Sequence, residues 1–373
     1  MVLVEDGVIV EVSSREEVSL PANARHLDFE DAVLAPGFLD IHIHGGAGHD
    51  VMNDDAALLA GMEHFLAKHG VTSYLPTTVT APLDLTLRSL ERLGKALEEG
   101  ETNTFKLPAT DPIRAQPLGI HLEGPFINPK RCGVHAVEHL LPPTLASFNG
   151  LCEAAQNRIS MITIAPELGG SEEVIRRARA RGICVSIGHS DAGASSAYAA
   201  LAWGASHATH TFNAMPGLHH RDPGLLGVVL SDDRLSADII ADRLHVASEV
   251  VRLFLKAKGI NHSVLISDAM SGTGMPDGKY RLGSMEVDVR EKECRRNGQL
   301  AGSVLTLDVA IQNVMQIAHL DLQSAVRLVT INPALTIGVA HRKGLLAPGR
   351  DADIVVLTAQ GQVSRTMIGG RMT

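Results

Sequence analysis

The chain has 373 residues, with 42 acidic side chains against 33 basic ones and a formal charge of −9. A net negative charge without Lys/Arg blocks argues against a nucleic-acid binder. A composition of 45% hydrophobic and 20% charged residues excludes a disordered chain.

The first residues, Met1-Val2-Leu3-Val4-Glu5-Asp6-Gly7, lack the basic segment and long apolar run of a secretory signal. Val2–Val4, Val8–Val12 and His26–Phe29 read as short strands. Asp6-Gly7 and Pro21-Ala22-Asn23 are the turn signals between them. From there short apolar runs alternate with helical stretches. The strand candidates are Phe38–His44, Thr72–Val79, Leu118–Glu123, Ile159–Glu167, Ile183–His189, His207–Asn213, Ser236–Asp242 and Ser263–Asp268. Asp54–His69, Pro82–Glu99 and Ser171–Gly182 read as helices. The last has a capping-type Ser171, acids in its first turn, later arginines and a closing Gly182. Near the end, Asp353–Leu357 and Val363–Ile368 read again as strands.

At roughly 150 residues per domain, the length fits two domains or one large barrel with an appendage. Strand–helix alternation implies a parallel sheet, and eight such strands imply a (β/α)8 TIM-like barrel. The expected architecture is α/β: a barrel over residues 36–339. A small β-sandwich unit is expected from both chain termini, residues 1–35 plus 340–373. An open doubly wound sheet is the alternative. Gly45-Gly46-Ala47-Gly48 does not match its dinucleotide fingerprint, and no phosphate-binding P-loop is present. No apolar run approaches the ~18 residues of a membrane helix. Cys132, Cys152, Cys184 and Cys294 show no C-x-x-C spacing, which points to a reducing cytoplasm.

Histidine is abundant: 18 copies, more than the 8 Phe, 3 Tyr and 1 Trp together. Several fall at the expected C-terminal ends of barrel strands, where barrel enzymes place their chemistry. His42 and His44 are two apart and share one strand face. Glu123 ends the third strand, His189 the fifth, and His210 lies on the sixth. Asp268 ends the eighth. Singly, each has a plainer account: His189 as a core histidine, Glu123 as an ion-pair partner, Asp268 as a helix cap. Jointly, imidazoles and carboxylates at five strand ends point to a borderline divalent metal. Such a metal polarises a carbonyl and acidifies water. Asp268 is the candidate carboxylate that accepts the water's proton and passes it to the leaving group. The reading is a metal-assisted hydrolase of an amide, a cyclic amide or an exocyclic amine. The strand-four end, Thr163-Ile164-Ala165-Pro166-Glu167, lacks the lysine of hydrolases with a carboxylated-lysine bridge. Glu167 itself reads as a supporting group or as plain structure.

Pro36-Gly37-Phe38-Leu39-Asp40-Ile41-His42-Ile43-His44-Gly45 resembles the opening motif of the amidohydrolase superfamily. His121-Leu122-Glu123-Gly124-Pro125-Phe126, Gly188-His189-Ser190 and Thr209-His210-Thr211-Phe212-Asn213-Ala214-Met215 resemble the N-acetylglucosamine-6-phosphate deacetylases. Further segments around His245, Asp268, Leu300–Ser303 and Asn332, and the closing Lys343–Asp353, fit the same family from about residue 30 onward.

The resemblance implies hydrolysis of N-acetyl-D-glucosamine 6-phosphate to glucosamine 6-phosphate and acetate. The alternatives are the N-acetylgalactosamine 6-phosphate epimer and a non-catalytic sugar-phosphate-binding barrel. It implies Glu123, His189 and His210 as metal ligands. His42 and His44 match the pair that helps hold a second metal, so one or two divalent ions are expected, zinc first, with iron, manganese or cobalt as alternatives. Asp268 matches the catalytic acid/base, and His135 a histidine near the acetyl carbonyl. Val134, Asn213, Ala214, Arg221, His245, Leu300, Ala301 and Gly302 match substrate contacts, with Arg221 on the phosphate. The plainer reading of Arg221 is a solvated loop arginine. Among the remaining histidines, His121 stands closest to this set because it shares a strand face with Glu123. A homodimer, a phosphorylated amino-sugar substrate, no nucleic acid and no membrane complete the expectation. The N-terminal β segment is short for the family, and residues 272–299 align with nothing diagnostic.

Overall fold

The computed structural model describes residues 1–14, 21, 24–52, 56–103 and 112–373. Among these, eight parallel strands lie side by side in chain order: Phe38–Ile43, Val71–Thr78, Ile120–Glu123, Ile159–Ile164, Cys184–Ile187, His207–Ala208, Ser236–Ile240 and Ser263–Ile266. They are the eight expected strands, most of them trimmed at their ends. The first and eighth meet through the Asp268 N–H, which donates to the His42 carbonyl at 2.9 Å, and through a parallel bridge between Ile43 and Ala269. Strands covered on both faces read as largely apolar runs; all of Phe38–Ile43 is buried, its polar Asp40 and His42 included.

A helix follows each strand, from Ala56–Lys68 and Leu83–Asn103 to Ser248–Lys258 and Leu307–Ala318. The expected start of the first helix at Asp54 lies outside the described residues. Ser171 corrects one expectation. The helix Ser171–Ala180 is capped by Gly170, and no side chain caps its N-terminus. The Ser171 hydroxyl instead donates 2.8 Å to the Ala165 carbonyl, back toward the strand end. The closing glycine behaves as expected, with Gly182 in the left-handed region at φ 75°.

Both chain ends build antiparallel structure. Val2–Glu5 pairs with Val8–Val12 across Asp6-Gly7, whose φ values of 48° and 79° suit the right-handed twist of a hairpin. A four-stranded sheet runs Arg371–Met372, Val363–Ile368, Ile354–Leu357, Val33–Pro36. The expected strand at His26–Phe29 is not one. His26, Leu27 and Asp28 are exposed outside any ladder, and Asp28 caps a turn at Glu30. Val33–Pro36 takes the place beside Ile354–Leu357 instead. The Ala22-Asn23 turn lies outside the described residues. A buried Lys343–Asp353 contact of 2.5 Å, with the Asp353 Oδ1 accepting from Gly369 N at 2.9 Å, fastens the C-terminal sheet. Gly37 joins the terminal sheet to the barrel, and a Cβ there would lie 2.1 Å from Thr72 Oγ1.

Residues 272–299, silent in the sequence, contain most of a second antiparallel sheet: Gly278–Leu282, Met285–Arg290, Glu293–Arg296 and Gln299–Leu300. Its apolar face (Leu282, Val287, Val289, Cys294) packs on Met52, Val79 and Met270, which lie beyond the ends of strands one, two and eight. The sheet therefore stands over one side of the barrel mouth.

Candidate active site

His189, His210 and Asp268 each lie two residues beyond the last residue of their strand. Each has a positive φ, of 48°, 28° and 50° respectively. A non-glycine residue in that region costs of order 1–3 kcal/mol and persists only where its surroundings over-determine it. The turned backbone directs His189 and His210 onto Glu123, the last residue of strand three, and Asp268 onto His42 and His44.

Glu123 sits between two groups of donors. Its Oε1 lies 3.1 Å from Nε2 of His189 and 3.1 Å from Nε2 of His210, which are 3.0 Å from each other. Its Oε2 lies 3.4 Å from His42 Nε2 and 3.3 Å from His44 Nε2. Asp268 closes the second group, with Oδ1 3.1 Å from His44 Nε2 and 3.5 Å from His42 Nε2. Glu123–His189–His210 and His42–His44–Asp268 are two buried sets, each compact enough to surround one ion.

Hydrogen bonds on the far side of the rings decide what faces this centre. His189 Nδ1 lies 2.8 Å from the Arg131 carbonyl, and His44 Nδ1 lies 3.0 Å from the Thr77 carbonyl. A carbonyl only accepts, so both Nδ1 atoms carry a proton and both rings turn Nε2 inward, a lone pair wherever the ring is neutral. The Nε2 of His189 thus meets the Glu123 carboxylate as acceptor against acceptor, away from water. Such a cluster requires positive charge within it. A divalent ion with nitrogen and oxygen ligands fits that demand.

The electrostatics agree. Burial works to raise the Glu123 carboxyl, but the neighbouring imidazoles, His42 foremost, hold it well below the usual range. Asp268 follows the same balance, its carboxyl lowered to about 2 by His42 and His44 against burial. Burial opposes charge on His44 and His210, yet the adjoining carboxylates raise them to about 10 and about 9. Burial dominates at His189 and pushes it down to about 4.

His135 has the opposite tautomer. Its Nδ1 accepts from the Thr80 N–H at 3.2 Å, so Nε2 carries the proton, 3.6 Å from Glu123 Oε2. It offers the centre a neutral donor. His121 is not a ligand. Its Nδ1 donates to the Ile41 carbonyl at 3.1 Å and its Nε2 accepts from the Thr163 hydroxyl at 2.8 Å. Both nitrogens are used in the barrel interior, where burial holds the ring well below its ordinary pKa. It shares a face with Glu123 but occupies the layer beneath.

Some of the residues expected to contact substrate lie against residues of this centre. Ala301 donates to Cys294 O at 3.0 Å, and Ser303 N donates to Asp268 O at 2.7 Å, so the 300–303 loop lies against Asp268. Gly302 is at φ 65°, and a Cβ there would meet the Asp268 carbonyl at 3.2 Å. The Val134 carbonyl accepts from Arg296 of the second sheet at 3.1 Å. The Ala214 carbonyl accepts from Ser190 N at 3.2 Å, and the buried Asn213 Nδ2 has no partner among the described residues. His245 donates from Nδ1 to Asp242 at 2.7 Å, which leaves Nε2 as an acceptor. Arg221 stands apart on an exposed loop, its guanidinium 2.9 Å from His220 Nε2.

Sequence reasoning missed several supports. Asp238 accepts from His207 Nε2 at 2.9 Å and from the backbone N–H of His210. Its signal was a lone carboxylate inside the apolar run Ala237-Asp238-Ile239. Thr77 and Thr80 act through contacts that no local pattern announces.

Residues 33–373 match the amidohydrolase family. The chain belongs to the amidohydrolase family. This amidohydrolase is 34% identical over 379 residues to N-acetylglucosamine-6-phosphate deacetylase of Bacillus subtilis, covering 99% of this chain and 91% of the relative. It is also 34% identical to N-acetylgalactosamine-6-phosphate deacetylase of Escherichia coli O157:H7, covering 99% and 93%. Among solved structures, N-acetylglucosamine-6-phosphate deacetylase of Pasteurella multocida superposes with a TM-score of 0.90 at 31% identity, over 100% of this chain and 94% of that one. A mutant of the Mycobacterium smegmatis deacetylase in complex with N-acetyl-D-glucosamine-6-phosphate gives 0.89 at 30% identity, over 100% and 93%. No helix among the described residues is long and apolar enough to cross a membrane.

Proposed function

We propose that this amidohydrolase removes acetate from N-acetyl-D-glucosamine 6-phosphate, leaving glucosamine 6-phosphate. The observation that carries the reading is the Glu123 carboxylate set between two imidazole groups, with Asp268 beside one of them. Glu123, His189 and His210 would hold one divalent ion, zinc being the best match to the donors. His42 and His44, with Asp268 beside them, would hold a second. A bound ion supplies a Lewis acid for the acetyl carbonyl and lowers the pKa of water toward ~7.

Asp268 is the proton carrier in this reading. Held ionised by His42 and His44, it takes a proton from the attacking water. It then delivers that proton to the amine nitrogen as the C–N bond breaks. His135 presents its Nε2–H to the acetyl oxygen as negative charge grows there. The unpartnered Asn213 amide and the Arg221 fork supply donors suited to phosphate oxygens. His245 Nε2 accepts from a sugar hydroxyl. Val134, Ala214, Leu300, Ala301 and Gly302 line the sugar with backbone and small side chains. The four cysteines are free, which supports a reducing cytoplasm. The family resemblance supports a homodimer.

The Escherichia coli relative, matched at the same 34% identity, favours a second reading, the galactosamine epimer. Acetate release from N-acetylglucosamine 6-phosphate, N-acetylgalactosamine 6-phosphate and unphosphorylated N-acetylglucosamine separates the readings. The proposal expects the first to be turned over best and the last hardly at all. Preference for the second would reassign the epimer. Release from none would make the barrel a sugar-phosphate binder.

A further inference from the structure

Glu167 stands past the end of strand four and takes no part in the proposed chemistry. Its carboxylate is nevertheless the junction of three loops. Oε1 accepts from Asn128 Nδ2 at 2.8 Å and from the Asp191 backbone N–H at 2.6 Å. Oε2 accepts from the Ser190 hydroxyl at 2.7 Å, and that hydroxyl in turn accepts from Ala192 N at 3.1 Å. The loops after strands three, four and five are thereby joined at one side chain.

Both routes from Glu167 lead to His189. One runs along the backbone. Ser190 and Asp191 directly follow His189, whose φ of 48° is strained and must be held from outside. The other runs through Asn128. Its backbone N–H donates to the His189 carbonyl at 2.9 Å. Its side-chain oxygen caps the short helix Pro129–Arg131 by accepting from Lys130 N at 2.9 Å. That helix ends on Arg131, whose carbonyl receives the His189 Nδ1 proton at 2.8 Å, while its guanidinium Nε returns 2.8 Å to Asp191. The group that fixes the tautomer of His189 and the turn that aims its ring therefore share one anchor.

We infer that Glu167 is a positioning residue for the metal centre: it locks His189 in its tautomer and direction by clamping the Asn128 and Asp191 loops together. The inference rests on the reading of His189 as a ligand. Its content is hydrogen bonding, so Glu167→Gln should preserve it. The amide oxygen of the substituted side chain would keep the Asn128 and Asp191 bonds, and the amide nitrogen would donate to the Ser190 oxygen.

The test uses full-length protein stripped of metal and titrated with Co²⁺ against a chromophoric chelator. The visible spectrum of the Co²⁺ form and the melting of the metal-free form are recorded alongside. Glu167→Ala should lose about 10–100-fold in Co²⁺ affinity, as loss of an outer support of a ligand does, with an altered spectrum. Glu167→Gln should bind and absorb like wild type. Asn128→Ala cuts the same clamp from its other end and should weaken Co²⁺ binding in the same direction, so it carries the test should Glu167→Ala not fold. Wild-type Co²⁺ affinity and spectrum in Glu167→Ala or Asn128→Ala, with only the metal-free melting lowered, would make Glu167 merely structural. Equal losses in Glu167→Gln and Glu167→Ala would overturn the hydrogen-bond clamp. Failure of the wild type itself to bind Co²⁺ would overturn the metal reading and this inference with it.

Discussion

His44 donates from Nδ1 to the carbonyl of Thr77, 3.0 Å away, and so turns its Nε2 toward Asp268 and Glu123. Nε2 is the position that a proton and a metal ion exchange. His42 stands 3.2 Å from it, nitrogen to nitrogen. If this pair holds its own ion, the double variant His42→Gln/His44→Asn loses one equivalent of bound metal per chain and keeps the fold. Metal content by elemental analysis with circular dichroism checks this. Unchanged stoichiometry would confine the metal to Glu123, His189 and His210.

Asp268 tests the proton-transfer step. Asp268→Asn keeps the shape of the side chain but cannot accept a proton as a carboxylate does. Turnover should fall by about 10²–10⁴, the range for a general acid–base group, with substrate affinity retained. Steady-state kinetics with a separate binding titration checks both. Undiminished turnover would assign the base to another group.

Arg221 lies on the exposed loop and not in the buried centre. A hydrogen bond to a charged group contributes ~1.5–3 kcal/mol, about 10–100-fold in affinity. Arg221→Ala should raise KM for the phosphorylated sugar by that order and leave metal content unchanged. An unaltered KM would return Arg221 to an ordinary loop residue.

Away from the site, Glu63 provides a pH test. Burial raises its carboxyl from 4.5 to about 7, against hydrogen bonding from Tyr74 and the charge of Arg114. The Tyr74 hydroxyl donates to it at 2.9 Å. A raised folded-state pKa means that the native protein holds this proton more tightly than the unfolded chain. The stability it gives is present in full below about 4.5 and is lost as pH rises through about 7. Glu63→Gln imitates the protonated form at every pH. The melting temperature of the variant should therefore pull ahead of wild type as pH rises across that window. A gap that does not change with pH would contradict the assignment.

The barrel was legible because its strands are buried on both faces and leave short apolar runs such as Val264–Ile266. The cluster of buried histidines and carboxylates was legible because polar residues interrupt those runs at their ends. What failed to show has physical reasons. The second sheet announces itself only weakly, in the alternation of Met285–Arg290 and the Asn297-Gly298 turn, and its apolar face is completed by residues far away in sequence. The strand misplaced at His26–Phe29 has local apolar character but joins no ladder among the described residues, whereas Val33–Pro36 pairs with Ile354–Leu357, more than three hundred residues on. Ser171 has the right residue type for a cap and is drawn off by the Ala165 carbonyl. Ring tautomers at His44, His135 and His189 depend on Thr77, Thr80 and Arg131, and only the fold brings these together.

The most direct measurement of the central claim follows acetate release from N-acetylglucosamine 6-phosphate while metal is removed by chelation and then restored in known amounts. Activity should vanish with the metal and return in proportion to the Zn²⁺ or Co²⁺ bound, with circular dichroism unchanged throughout. Full activity in protein shown by elemental analysis to be free of metal would contradict the account.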